Sequence, residues 1–214
     1  MRMTSIALLL LAVAAPTEAE ECQVLDNFKD AAVGSFPKGW VPRKAPGRQV
    51  YTVQVEDGRP FVRAWAKGLG IEADRRGEWN IEQLPVLAWR WRPRLFPTGA
   101  DERERGKNDS VLGVYVGFKS AWSSLKYIWS ERVEVGAEWD TGAFGLTKMR
   151  VVASGRTADS TTWRDVRVDV ASDFQRRLGK RNLEPPAGIA ILTDGDDTNS
   201  EAIGDYADFR ICKR

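Results

Sequence analysis

From Cys22 onward, apolar residues recur at every second position, and turn-forming residues cut the runs short. Tyr51-Thr52-Val53-Gln54-Val55 alternates, stops at Glu56-Asp57-Gly58 and resumes as Phe61-Val62-Arg63-Ala64-Trp65-Ala66. Asp-Gly between two such runs is a hairpin signal, because both central residues of the tight turn need positive φ. Leu87, Trp89 and Trp91 share one face of the next strand, with Ala88, Arg90 and Arg92 on the other. The same spacing recurs in Leu112/Val114/Val116/Phe118, Leu125/Tyr127/Trp129, Met149/Val151/Ala153, Val166/Val168/Val170, Ile189/Ile191 and Ala207/Phe209/Ile211. About ten short strands with turns between them predict an all-β fold, a two-sheet antiparallel sandwich of the jelly-roll kind. One short helix is expected where Val170, Phe174 and Leu178 recur every four residues, with Ser172 or Asp169 as N-cap and Gly179 as terminator.

The first residues break this pattern. Met1-Arg2-Met3-Thr4 is a short positive lead, and Ser5 to Ala15 is an apolar run too short to span a bilayer as a mature helix. Pro16 ends the run, and Thr17-Glu18-Ala19 offers small residues at the spacing a signal peptidase reads, with Ala12-Val13-Ala14 as a second candidate. The expected organisation is a signal peptide over residues 1–19 and a single β-sandwich domain over 20–214, placed in the periplasm or secreted; a buried N-terminal helix or an uncleaved anchor is the alternative. Glu21 stands before Cys22 where lipidation requires a small residue, which speaks against a lipid anchor. Removal of 1–19 takes away Arg2 and Glu18 together, so the net charge of +2 is unchanged. The remaining stretch, roughly 195 residues, suffices for one core and is short for two.

The chain has no histidine, which excludes Ser-His-Asp and Cys-His nucleophile systems and His-ligated zinc. Its two cysteines, Cys22 and Cys212, read as a disulfide tying the ends together in an oxidising compartment, the alternative being two free thiols. Nine tryptophans are unusual. Trp89 and Trp91, beside Leu87, read as core. Trp40, Trp79, Trp122, Trp139 and Trp163 lie near turns, where an indole can serve as a platform for a sugar ring. Trp40, Trp122 and Trp139, with Asp109 as a polar partner, are the candidate ligand-binding residues.

Ile191 to Asn199 ends a strand in a burst of oxygen-bearing side chains, with Asp194, Asp196 and Thr198 at alternating positions like the opening half of a calcium loop. Asn199 replaces the sharp-turn glycine and Asp205 the bidentate Glu, so this is no EF-hand. A structural calcium held by Asp194, Asp196 and Thr198, with Asp26 or Asp208 adding carboxylates, stands beside the alternative of an Asx-rich turn that satisfies its own backbone. No other cofactor is expected. The basic groups are balanced by acids and read as solvated faces, so nucleic acid is not an expected partner. Glu131, Glu134, Glu138 and Asp140 are the densest acids near a strand, yet they do not form the alternating E-x-D-x-E of retaining sandwich glycosidases.

Phe36-Pro37-Lys38-Gly39-Trp40, Leu87-Ala88-Trp89-Arg90-Trp91, Asn108-Asp109 before Val114-Tyr115-Val116, Tyr127-Ile128-Trp129, Trp163 to Val170, and Thr193 to Thr198 occur in that order along nearly the whole chain. In these pieces the sequence resembles an uncharacterised bacterial family of exported proteins, domain of unknown function 3047, which implies no activity. More loosely, Asp26-Asn27-Phe28 at the start and Asp205 to Phe209 at the end resemble carbohydrate-binding jelly rolls. The expected function is that of an exported non-catalytic β-sandwich module binding a glycan or cell-envelope component. The alternatives are a polysaccharide-acting enzyme using Asp and Glu, and a structural or assembly partner protein. No further apolar stretch could cross a membrane.

Overall fold

The computed structural model describes residues 21–119, 123–156 and 162–214. Residues 1–20, where a signal peptide is expected, and Trp122 lie outside the described residues. In chain order the elements are β1 (Cys22–Asp26), β2 (Val41–Pro42), the single turn α1 (Gly47–Val50), β3 (Tyr51–Glu56), β4 (Arg59–Lys67), β5 (Ala73–Arg76), β6 (Val86–Leu95), β7 (Leu112–Phe118) and β8 (Ser124–Ser130). They continue with β9 (Glu138–Thr141), β10 (Thr147–Ser154), β11 (Arg164–Asp169), α2 (Val170–Leu178), β12 (Pro186–Leu192) and β13 (Glu201–Cys212). Two sheets result. One runs β11-β6-β13-β4-β3 with β1 laid along β13, and the other runs β2-β5-β12-β7-β8-β10-β9.

Local chemistry accounts for the joints. Asp57 and Gly58 have φ of 50° and 73°, as the tight β3–β4 hairpin requires. The Asp169 carboxylate accepts from the Ser172 N–H at the start of α2, and Gly179 closes it in the left-handed region at φ 66°. Phe174 of α2 is buried, its ring centre 4.6 Å from that of Phe118.

Between the sheets, the alternating positions meet as expected. Trp89 and Trp91 are buried edge to face at 5.2 Å, and they lie against Tyr127 and Trp129 of the opposite sheet at 6.1 and 6.0 Å. Cys22 faces Cys212 in the β1–β13 register, and the two form a disulfide.

The structure departs from an all-antiparallel sandwich at one pair. β10 lies parallel to β8, because it inserts between β8 and the outermost strand β9. No helix among the described residues is long and apolar enough to cross a membrane.

Trp40 does not lie where the turn-proximal reading placed it. It is 4% exposed, packed against Phe28 and Phe209, with its indole N–H donating to Asp26 at 2.9 Å. Trp79 is buried as well. The packing of Trp40 leaves it no open face for a ligand.

Candidate functional site

The strand registers of the seven-stranded sheet align one row of residues across its outer face. Asp74 pairs with Ala190, Ala190 with Tyr115, Tyr115 with Lys126, Lys126 with Met149, and Met149 with Trp139. A parallel row, one pleat period along, runs Arg76, Gly188, Gly117, Ser124, Thr147 and Thr141. At about 4.8 Å per strand, Tyr115 and Trp139 stand roughly 14 Å apart along the first row. Each borders a hollow. The one at Tyr115, about 200 Å³, has Arg43, Asp74, Arg76 and Gly117 among its walls. The one at Trp139, about 550 Å³, lies between β9 and the segment joining β6 to β7, with Glu102, Arg103, Arg105 and Asn108 around it.

Lys126 is the centre of the face. Although its position in the strand alternation points it away from the core, it is only 4% exposed. Its stem lies over Gly113, where a Cβ would stand 3.2 Å from Lys126 Cε. Its ammonium is 5.0 Å from the Tyr115 ring centre. Burial alone would lower its pKa, but Tyr115, Asp194 and Glu72 outweigh burial and raise it, so Lys126 is a fixed cation. Three carboxyl groups around it are shifted the other way from their exposed counterparts. Burial raises Glu72 against the pull of Arg43 and Lys126, and burial raises Glu102 against the hydrogen bond from Ser130. Burial pushes Asp194 up to about 8, opposed by Lys126 and aided by Asp196 and Asp109.

The acidic loop after β12 joins this face at its end. Asp109, fully buried, accepts at Oδ1 from the Asp197 N–H (3.1 Å) and at Oδ2 from the Thr198 N–H (2.8 Å) and hydroxyl (2.5 Å). It is a clamp that holds the loop, not a free ligand group. Asp194 lies against Gly70, where a Cβ would run into Asp194 Oδ1 and Asp196 Oδ1. Of the oxygens that could hold a cation, those of Asp109, Asp196 and Asp197 lie within 4.8 Å of one another. Of the sequence-based set of Asp194, Asp196 and Thr198, the Thr198 hydroxyl donates to Asp109, and Asp194, raised by burial, holds its proton through neutral pH. Asp26 and Asp208 are elsewhere, engaged with Trp40 and Arg75 and with Arg90. Any cation here would compete with three donors already on Asp109.

That proton has a measurable consequence. Asp194 ionises near the ordinary carboxylate value in the unfolded chain and only near 8 when folded, so between about pH 4 and 8 the folded state holds the extra proton. Stability should fall as pH rises through this window, by at most about 1.4 kcal/mol per pH unit for this group. Glu72 and Glu102 slope the same way, so the comparison must be with Asp194→Asn. Melting temperatures from pH 5 to 8 should fall less steeply in that variant; identical slopes would refute the assignment.

Among the tryptophans, Trp139 is half-buried and opens onto its hollow, so it alone of the three candidates is placed both at a ligand-accessible face and within the described residues. Sequence reasoning missed Lys126, Tyr115, Glu72 and Glu102. One signal for the first two was legible: in Leu112-Gly113-Val114-Tyr115-Val116-Gly117-Phe118, one strand face carries only glycine, tyrosine and glycine.

Fold and face together define a two-sheet β-sandwich with two separate hollows on its larger sheet, one beside Tyr115 and one beside Trp139. The chain belongs to the family described as "Protein of unknown function (DUF3047)", which it matches over residues 38–210. No curated protein matches it by sequence. Among solved structures it is similar to the xyloglucanase domain of NopAA, a type three effector from Sinorhizobium fredii in complex with cellobiose, at 12% identity, covering 86% of this chain and 99% of that one with a TM-score of 0.37. It is also similar to Trichoderma harzianum endoglucanase 3 from family GH12, at 10% identity, 94% and 99% coverage and a TM-score of 0.41. A third is the family 11 xylanase from Neocallimastix patriciarum, at 12% identity, 81% and 100% coverage and a TM-score of 0.34.

Proposed function

We propose that this is an exported saccharide-binding domain whose binding surface is the outer face of the seven-stranded sheet. The observation that carries the reading is the row Asp74–Ala190–Tyr115–Lys126–Met149–Trp139, which sets an aromatic side chain beside a hollow at two points with a fixed cation between them. Aromatic faces take the apolar C–H faces of sugars, and the charged groups orient hydroxyls. Export is supported by the charge–apolar–small order of residues 1–19 and by the Cys22–Cys212 disulfide. Binding without cleavage is supported by the state of the acids near β9, which are spent on cations: Glu131 pairs with Arg156, Glu138 with Arg176 and Arg177, and Asp140 with Lys148 and Arg177.

A glycan array followed by calorimetry tests the reading. Tyr115→Ala and Trp139→Ala should each weaken binding by about tenfold in protein that remains folded. Unchanged affinity in both variants would overturn it. A hydrolytic reading rests on a different observation. Glu102 and Asp140 border the same hollow, the first raised by burial and the second held low by Lys148, as an acid and a base would be. Release of reducing ends, lost in Glu102→Gln, would establish that reading in place of simple binding.

A further inference from the structure

The second row of the outer face, Arg76–Gly188–Gly117–Ser124, forms the floor of the 200 Å³ hollow beside Tyr115. Its two glycines differ in kind. At Gly188 a Cβ would strike the backbone oxygen of Arg75, so the neighbouring strand demands glycine there. At Gly117 a Cβ would meet nothing within 4 Å. A glycine inside a strand weakens it, and packing gives no reason for this one. The bare backbone at Gly117 keeps the hollow open.

The charged groups around that floor are unequal. Arg43 is paired with Glu72 at 2.9 Å and Asp74 at 3.2 Å, and Arg75 donates to the Leu25 carbonyl and pairs with Asp26. Arg76 is exposed at the end of the row, and its side chain has no hydrogen bond or ion pair among the described residues. The hollow thus offers a bare floor, an aromatic edge and one guanidinium with its fork free. A guanidinium fork matches a carboxylate in two parallel hydrogen bonds.

We propose that this hollow is a subsite for a hexuronate residue of an acidic glycan. The ring lies over Gly117 beside Tyr115, and its carboxylate pairs with Arg76. The inference rests on the reading of this face as a saccharide-binding surface and names the ligand class for one part of it.

The probes are pectate, the same polymer with its carboxyl groups reduced to alcohols, and dextran sulfate, each titrated into the disulfide-bonded protein. Pectate should bind more tightly than its reduced form by about tenfold or more. Arg76→Ala should remove most of that preference. Gly117→Val should abolish pectate binding while the melting temperature holds or rises, since a β-branched side chain suits a strand and meets no atom there. Equal affinity for pectate and its reduced form, pectate binding indifferent to Arg76→Ala or Gly117→Val, or dextran sulfate competing as well as pectate would each overturn the uronate assignment. If the reduced polymer still binds in a manner dependent on Tyr115 and Trp139, the saccharide-binding surface survives that failure. If no polymer binds through those residues, both fall.

Discussion

Replacing both cysteines by alanine should lower the stability of the domain by about 5 kcal/mol, the largest single effect expected in this protein. The bridge joins residues 190 apart, so it closes a long loop in the unfolded chain and lowers that state's entropy. Loop-closure entropy grows only slowly with length, yet a loop this long lies at the upper end of the effect. Alanine is the right probe, because Cys212 is fully buried with Val86 and Ala88, and serine there would add the cost of an unsatisfied hydroxyl. Urea unfolding of the wild type and of Cys22→Ala/Cys212→Ala measures the difference. A loss under about 1 kcal/mol would mean that β1 and β13 are held by their ladder alone and the bridge is incidental.

Asp205→Ala should cost about 3–5 kcal/mol, through charge rather than volume. Asp205 is fully buried on the six-stranded sheet and accepts from Arg63 at 2.8 and 2.9 Å and from Arg92 at 2.7 Å. Arg92 is itself 1% exposed, its guanidinium 4.4 Å from the Trp163 ring centre, and it also donates to Glu56. Removing Asp205 takes a fully buried acceptor from both arginines. Glu56, half in solvent, is a much weaker partner, and Glu56→Ala should cost no more than about 1 kcal/mol. Thermal unfolding of both variants gives the ordering; equal losses would show that the network is not organised around Asp205.

The parts legible in the sequence were those where one physical signal dominates. β3, β4 and their Asp57-Gly58 turn followed from alternation and turn chemistry, and α2 from its four-residue spacing, with Asp169 as cap and Gly179 as stop. The core role of Trp89 and Trp91 followed likewise. The short polar strands did not. β5 reads Ala-Asp-Arg-Arg and β9 Glu-Trp-Asp-Thr, without the apolar alternation that marks a half-buried strand, and it is the neighbouring strands that recruit them. The parallel placement of β10 is equally invisible, since pairing order is a tertiary choice.

At the candidate site the limits were sharper. Asp109 was expected as a polar partner of the candidate tryptophans, and its hydrogen bonds to the acidic loop depend on residues 88 and 89 positions away. Lys126 looked like an ordinary outward lysine. Its burial comes from the glycine at 113 on the next strand, a cross-strand relation that a linear pattern does not hold.

The place of β13 has a bearing on how the protein comes to exist at all. The last strand of the chain lies in the middle of the six-stranded sheet, between β6 and β4 and along β1. A chain delivered N-terminus first presents β4 and β6 with their inner edges bare until Glu201–Cys212 arrives. Hairpins such as β3–β4 and β7–β8 can close earlier, because their partners are neighbours in sequence. The sandwich as a whole must wait, with unpaired edges that invite pairing with other chains. The six-stranded sheet can therefore close only once Glu201–Cys212 is present to join β4 to β6.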